Sequence, residues 1–163
     1  AVQLSPAQIE TVQRRLDAFR EAVRGFRPTP PLKLSAQDLN GLIESDPDFE
    51  PMKGKLYVKA IQNGLVTALI SLPMEQAGLP MFRGRYLNAT ASLSLSLRNG
   101  ILRITPQSVS AKGRPLPQVY LERVRQQNLA RTLNSNPRVS VALDRLQSIE
   151  VKDGQVVVVP KAQ

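Results

Sequence analysis

The chain has 163 residues, and its 42% hydrophobic and 21% charged residues are typical of a globular protein rather than a disordered one. It contains no histidine and no cysteine, which excludes Ser-His-Asp and Cys-His catalytic groups, disulfide bonds and histidine-based metal sites. The formal net charge of +9 favours anionic partners such as lipid headgroups, nucleic acids or acidic polymers, although the same charge can serve solubility alone.

The first predicted element is a long helix that begins at Pro6. Ser5 can cap this helix, and Gln8 stands where a capping box requires Glu or Gln. Gly25 and the prolines after it end the helix. Apolar residues recur every three or four positions and form one stripe, consisting of Ile9, Val12, Leu16, Phe19, Val23 and Phe26. The stripe predicts a helix that faces the core, with a coiled-coil seam as the alternative.

A second, short helix is predicted to begin after Ser35, whose hydroxyl can cap it. Four acidic residues follow it at every second position, namely Glu44, Asp46, Asp48 and Glu50. Carboxylates at this density suit calcium, but Pro47 and Phe49 interrupt the pattern and the glycine of an EF-hand loop is missing. We therefore expect a solvated acidic loop rather than a metal site.

The strongest strand signal lies in the middle of the chain. Apolar and polar residues alternate without interruption over residues 87–97, which is the period of a strand with one buried face. The Asn99-Gly100 pair that follows suits a two-residue type I′ turn, because both of its positions require positive φ. This turn places Leu97 opposite Leu102, so the leucine face continues into the next strand.

Two further hairpins are predicted around Asn63-Gly64 and Asp153-Gly154. In a two-residue register, the first of these hairpins pairs Val58 with Leu69 and has apolar side chains on both faces. We therefore expect that this hairpin is covered on both sides, or that one of its faces lines a cavity or contacts a partner.

The remaining connections are marked by proline. Pro106 interrupts the second central strand and predicts a bulge or a sheet edge, whereas Pro117 and Pro137 each begin a further helix. The loop over residues 73–84 carries three apolar side chains that form a flap or pack against the body, namely Leu79, Met81 and Phe82.

This order of elements predicts an α+β fold, in which a curved antiparallel β-sheet built from hairpins packs on the long N-terminal helix and on further helices. We expect a single domain over residues 1–163, with residues 1–31 as the N-terminal helix and proline-rich linker and residues 32–160 as the α+β body. No apolar run approaches the ~20 residues of a membrane span.

Two short motifs add a resemblance. The first is Leu34-Ser35 followed by Leu39-Asn40 and Leu42-Ile43, and the second is Gly113-Arg114-Pro115-Leu116-Pro117. With the order of elements, they resemble the YpmS-like bacterial extracytoplasmic proteins and, more distantly, the YceB-like lipoproteins, over about residues 33–159. The resemblance implies an envelope location, an N-terminal membrane anchor and an acyl-chain ligand inside the sheet, and it implies no catalytic residues. The chain begins at Ala1 and its first methionine is Met52, so we expect such an anchor or a signal to precede it in the natural protein.

The first hypothesis is accordingly a non-enzymatic envelope domain that binds a lipid or another apolar ligand. The candidate lining residues are those of the leucine face, namely Leu93, Leu95, Leu97, Leu102 and Ile104. Their alternative role is to fill a solid core against the first helix.

A protein–protein or assembly module is the second hypothesis, with the first helix and the acidic loop as its surfaces. Nucleic-acid binding is permitted by the charge, but aromatic residues make up 4% of the chain and form no stacking platform. We expect no catalytic residue, metal or cofactor, because no Ser-x-x-Lys motif, Gly-x-Ser-x-Gly motif or phosphate-binding loop occurs.

Overall fold

The computed structural model describes residues 4–75 and 84–162. The predicted flap residues Leu79, Met81 and Phe82 therefore lie outside the described residues. The helices are α1 (Pro6–Arg24), α2 (Ala36–Ser45), α3 (Gln118–Arg125), α4 (Arg131–Ser135) and α5 (Pro137–Asp144), with a 3₁₀ helix over Pro47–Met52.

The strands form two antiparallel sheets, and the predicted α+β class is confirmed. The five-stranded sheet has the order β2-β3-β4-β5-β6 and the three-stranded sheet the order β1-β8-β7. The strands are β1 (Leu32–Leu34), β2 (Leu56–Gln62), β3 (Leu65–Pro73), β4 (Tyr86–Arg98), β5 (Ile101–Ala111), β6 (Arg114–Pro115), β7 (Leu146–Lys152) and β8 (Gln155–Pro160). The third predicted hairpin thus belongs to a separate sheet, because β1 rather than β2 pairs with β8.

The prediction for α1 is confirmed in its cap and in most of its stripe. Ser5 and Gln8 form the reciprocal capping box, and four residues of the stripe are buried, namely Val12, Leu16, Phe19 and Val23. Phe26 was wrongly expected to face the core. It lies beyond the helix end with a φ of +53°, and 61% of its surface is exposed.

Helix α1 packs closely against α2 at Gly41. A Cβ atom on Gly41 would lie 3.2 Å from Cγ1 of Val12 and 3.4 Å from Cδ1 of Leu4, so glycine allows this close approach of the two helices. Residues from α1, α2 and one face of the five-stranded sheet share one hydrophobic core, including Leu42, Ala68 and Ala91.

The three predicted hairpin turns are confirmed, and each has positive φ at both central positions. A fourth turn of the same kind joins β5 to β6 at Lys112-Gly113, where φ is +54° and +77°. Sequence reasoning missed this turn because lysine rarely adopts the left-handed conformation and so gives no turn signal.

The predicted register of the central hairpin, formed by β4 and β5, is confirmed, since Leu97 lies opposite Leu102. The expected bulge at Pro106 is also confirmed, since the pairing between β4 and β5 shifts at this point. The pairing of Val58 with Leu69 was wrong: a bulge between Val58 and Ala60 shifts the register, so Val58 lies opposite Ala68.

Asparagine side chains cover both edges of the five-stranded sheet. On the β2 edge, the Nδ2 of Asn40 donates to the Val58 carbonyl at 2.8 Å, and the Val58 amide donates to its Oδ1 at 2.7 Å. On the opposite side, β6 pairs with only the last two residues of β5, so the rest of β5 is an edge. There Asn134 makes the same pair of bonds with Leu102, at 2.7 and 3.0 Å. Asn128 adds a bond to each of Leu102 and Ile104. These amides occupy backbone groups that an edge strand otherwise offers to another chain.

Replacing Asn40 by alanine is expected to lower the free energy of unfolding by about 1–3 kcal/mol, because it leaves two backbone groups of Val58 without partners. Urea unfolding followed by circular dichroism measures this loss. Gln37→Ala is the matched control, since Gln37 is an exposed amide on the same helix, and its change should stay within about 0.5 kcal/mol. Equal losses for the two variants would contradict the edge-covering role.

Candidate functional site

The structure spreads the five candidate lining residues over different environments. Leu93 and Leu102 are buried in the core, with 2% and 8% of their surfaces exposed. Leu95 and Leu97 are partly buried and pack against that core. Ile104 lines a cavity of about 220 Å³, next to the segment that joins α3 to α4.

A larger groove of about 990 Å³ lies where α1 and α2 meet the ends of strands β2 to β5. Its apolar wall is formed by residues from both helices and from three strands, namely Leu4, Ile9, Ile43, Leu56, Leu69, Ile70 and Ala89. We call this site the strand-end groove. Its volume lies at the upper end of the range for small-molecule sites, which also have a mainly apolar lining.

The strand-end groove adjoins the smaller cavity. Four residues line both of them, namely Lys55, Leu56, Ile70 and Ser71. The smaller cavity extends from there to Leu129 and Leu133 on the α4 side. The two cavities therefore lie side by side, on either side of these four residues.

Polar groups surround the apolar wall. Lys55 and Lys112 line the groove, are exposed and make no salt bridge with a described carboxylate, whereas Glu44 is paired with Lys53 at 4.0 Å. Hydroxyl groups of Ser71, Thr90 and Ser110 also line the groove. An apolar wall beside ammonium groups that have no described carboxylate partner suits a molecule with an apolar chain and an anionic group.

Part of this site was visible in the sequence. The apolar side chains on both faces of the β2–β3 hairpin predicted either cover on both sides or one face that lines a cavity or a partner surface, and Tyr57 and Leu69 of this hairpin line the groove. The two lysines gave no signal, because they come from separate loops that only the fold brings to one groove.

The acidic stretch contains a second, buried cluster. The guanidinium of Arg20 donates to both carboxylate oxygens of Asp46, at 2.7 and 2.9 Å, and to Asp48 at 3.0 Å. Gln13 donates to Asp46 at 2.8 Å, and Arg138 donates to Asp48 at 2.8 Å. The expected solvated acidic loop was therefore wrong for Asp46 and Asp48, since the side chain of Asp46 is completely buried and 13% of that of Asp48 is exposed.

These contacts fix the charge of the buried pair. Burial by itself raises the pKa of Asp46, but hydrogen bonds from Arg20 and Gln13 and the charge of Arg20 outweigh burial and hold this pKa below its usual value. Burial lowers the pKa of Arg20, but the contacts with Asp46 and the nearby carboxylates raise it overall. Both groups therefore stay ionised at neutral pH.

The buried cluster is structural in character, because every polar group in it bonds to another part of the same chain. No set of acidic side chains among the described residues is arranged to hold a metal ion. Within the described ranges, no helix is both long and apolar enough to cross a membrane.

No family model, curated protein or solved structure matches this chain.

Replacing Arg20 by methionine is expected to lower the free energy of unfolding by about 3–5 kcal/mol, because it leaves the buried carboxylate of Asp46 without a counter-charge. The measurement is urea unfolding at neutral pH. Arg14→Met on the same helix is the control: Arg14 is 72% exposed, and its loss should cost about 0.5 kcal/mol or less. A loss from Arg20→Met no larger than that of the control would show that the cluster does not hold the fold together.

The lowered pKa of Asp46 predicts how stability depends on pH. Its folded-state pKa lies below the unfolded value of about 3.9, so its contribution is present above that value and is lost as the pH falls through the folded-state pKa. The difference in unfolding free energy between the unmodified chain and Asp46→Asn should therefore shrink from about pH 6 to about pH 3. Urea titrations at each pH measure it, and a constant difference would contradict the assigned contribution.

Proposed function

We propose that this chain is a non-enzymatic binding domain that takes an anionic amphiphile, such as a lipid or a fatty acid, in the strand-end groove. The observation that carries this proposal is the combination of an apolar wall with Lys55 and Lys112, which have no described carboxylate partner. In this proposal the apolar chain of the ligand lies along Leu56 and Ile70, and its anionic group meets Lys55 and Lys112.

The shape of the cavities supports an elongated ligand. The groove of about 990 Å³ lies next to a space of about 220 Å³, and Leu56 and Ile70 line both. A compact polar metabolite would leave most of that apolar wall in contact with water, whereas an alkyl chain covers it at a gain of about 25 cal/mol for each Å² removed from water.

The assembly-module alternative has less support. It assigned the docking role to the first helix and the acidic loop, but the apolar stripe of α1 is largely buried and Asp46 and Asp48 are paired within the chain. The envelope location stays a prediction that rests on the resemblance to YpmS-like proteins.

Native mass spectrometry tests the proposal with dodecyl phosphate and dodecyl maltoside, which have the same alkyl chain. We expect a one-to-one adduct with dodecyl phosphate and at least fivefold weaker binding of the uncharged maltoside, because only the phosphate can bond to the lysines. Leu69→Glu should weaken the phosphate adduct at least tenfold by placing a like charge on the apolar wall.

The matched control is Ile101→Glu. Leu69 is 44% exposed and Ile101 is 55% exposed, so both substitutions should leave the fold intact, and Ile101 lies at the opposite end of the sheet, beside the Asn99-Gly100 turn. The absence of an adduct, or equal weakening by both substitutions, would refute binding in the strand-end groove.

A further inference from the structure

A third surface lies where α1 ends and the chain leaves β8. It consists of Phe26, Arg27, Arg145 and Lys161, and we call it the Phe26 patch. These four residues line a cavity of about 500 Å³. Its lining is completed by Val23, Asp144, Pro160 and Ala162. Neither the strand-end groove nor the buried ion cluster includes any residue of the patch.

Phe26 is held outward by the backbone. The Arg27 amide donates to the Ala22 carbonyl at 2.8 Å, and the Phe26 amide donates to the Val23 carbonyl at 3.2 Å, which together form a Schellman cap. Phe26 occupies the left-handed position of this cap with a φ of +53°, although the preceding residue is Gly25, which would adopt that conformation without strain. A bulky residue at a left-handed position is a backbone outlier, and such outliers concentrate at functional sites.

Arg145 supports the exposed ring. Its guanidinium carbon lies 4.2 Å from the centre of the Phe26 ring, and its Nη1 donates to the carbonyls of Arg24 and Val23 at 2.9 and 3.4 Å. The Lys161 amide donates to the Arg145 carbonyl at 3.0 Å, which brings the last lysine to the same surface. The ring and the guanidinium are therefore preorganised rather than free to collapse onto the surface.

The patch has an excess of unpaired positive charge. Arg27, Arg145 and Lys161 form no salt bridge with any carboxylate in residues 4–75 or 84–162, although Asp144 lines the same cavity. An exposed aromatic ring beside cations that have no carboxylate partner suits the headgroup level of an anionic bilayer, where rings insert and basic groups meet lipid phosphates.

We propose that the Phe26 patch is a docking surface for an anionic membrane, with the Phe26 ring, supported by Arg145, inserted at the headgroup level and with Arg27 and Lys161 on lipid phosphates. Docking at this surface is separate from the uptake of an amphiphile by the strand-end groove, which lies at the other end of α1.

Vesicle sedimentation tests this proposal at about 150 mM NaCl, with vesicles of phosphatidylcholine alone and with about 30% phosphatidylglycerol. The chain should sediment with the anionic vesicles and not with the neutral ones. The double variant Arg27→Gln and Lys161→Gln should lower partitioning by roughly 25-fold, since each cation near the surface contributes about fivefold.

Two controls separate docking from net charge. Arg103→Gln with Arg114→Gln removes the same charge from exposed positions in the sheet and should lower partitioning much less. Phe26→Gly should also weaken binding while the urea midpoint does not fall, because glycine adopts the left-handed cap without strain. Val119→Thr, at an exposed apolar side chain on α3, should leave binding unchanged.

Several results would overturn the proposal. Equal losses of binding for the two double variants, or full binding by Phe26→Gly, would show that the patch is not the docking surface. Equal binding to neutral vesicles would show that anionic lipid is not required. Displacement by millimolar inorganic phosphate would indicate a site for a free anion. Leu69→Glu, which blocks the groove, should leave vesicle binding unchanged, so failure of the groove and failure of the patch give different results.

Discussion

The buried pair of Arg20 and Asp46 links α1 to the end of α2, two helices that also share the hydrophobic core. Arg20 lies on α1, Asp46 lies between α2 and the 3₁₀ helix, and Asp48 extends the cluster to Arg138 on α5, 90 residues further along the chain. Every buried side-chain polar atom in the described part of the chain has a hydrogen-bond partner. The cluster therefore satisfies the condition under which buried charges are tolerated, and it fixes how the helices sit relative to one another.

The position of α2 follows from a second set of contacts, which also explains one of the two sequence motifs. Ser35 caps the helix, Asn40 bonds to the backbone of β2, and Gly41 allows α1 to approach closely, while Leu42 and Ile43 are buried. Each of these residues has a structural role. The motif thus describes how a helix closes a sheet edge, and the strand-end groove is the space that this closure leaves beside the strand ends.

How far the sequence predicted the fold depended on the range of the interaction. The turns at Asn63-Gly64, Asn99-Gly100 and Asp153-Gly154 were predictable, because two adjacent residues determine the conformation of each turn. The bulge beside Val58 was not, since no glycine or proline marks it. Strand β1 was missed because three residues are too few to show a period, and its pairing with β8 spans most of the chain.

The same limit applies to the sites. The apolar faces of the β2–β3 hairpin left open whether the hairpin is covered on both sides or lines a cavity or a partner surface. The groove lies beside this hairpin, whereas its lysines come from separate loops. Burial of Asp46 depends on partners on α1 and on the 3₁₀ helix, and no local pattern distinguishes it from the exposed Glu44.

Pairing within the chain also changes the interpretation of the charge distribution. The acidic segment was expected to be a solvated loop. However, Asp46 and Asp48 are neutralised by Arg20 and Arg138, and Asp38 is paired with Arg15. The basic residues of the sheet region have few such partners, and those without a salt bridge to a described carboxylate include Lys55, Lys59, Arg98, Arg103, Lys112 and Arg114. Because these acids are paired internally and these cations remain at the surface, the positive field of the sheet region has the sign that favours the anionic ligands proposed above.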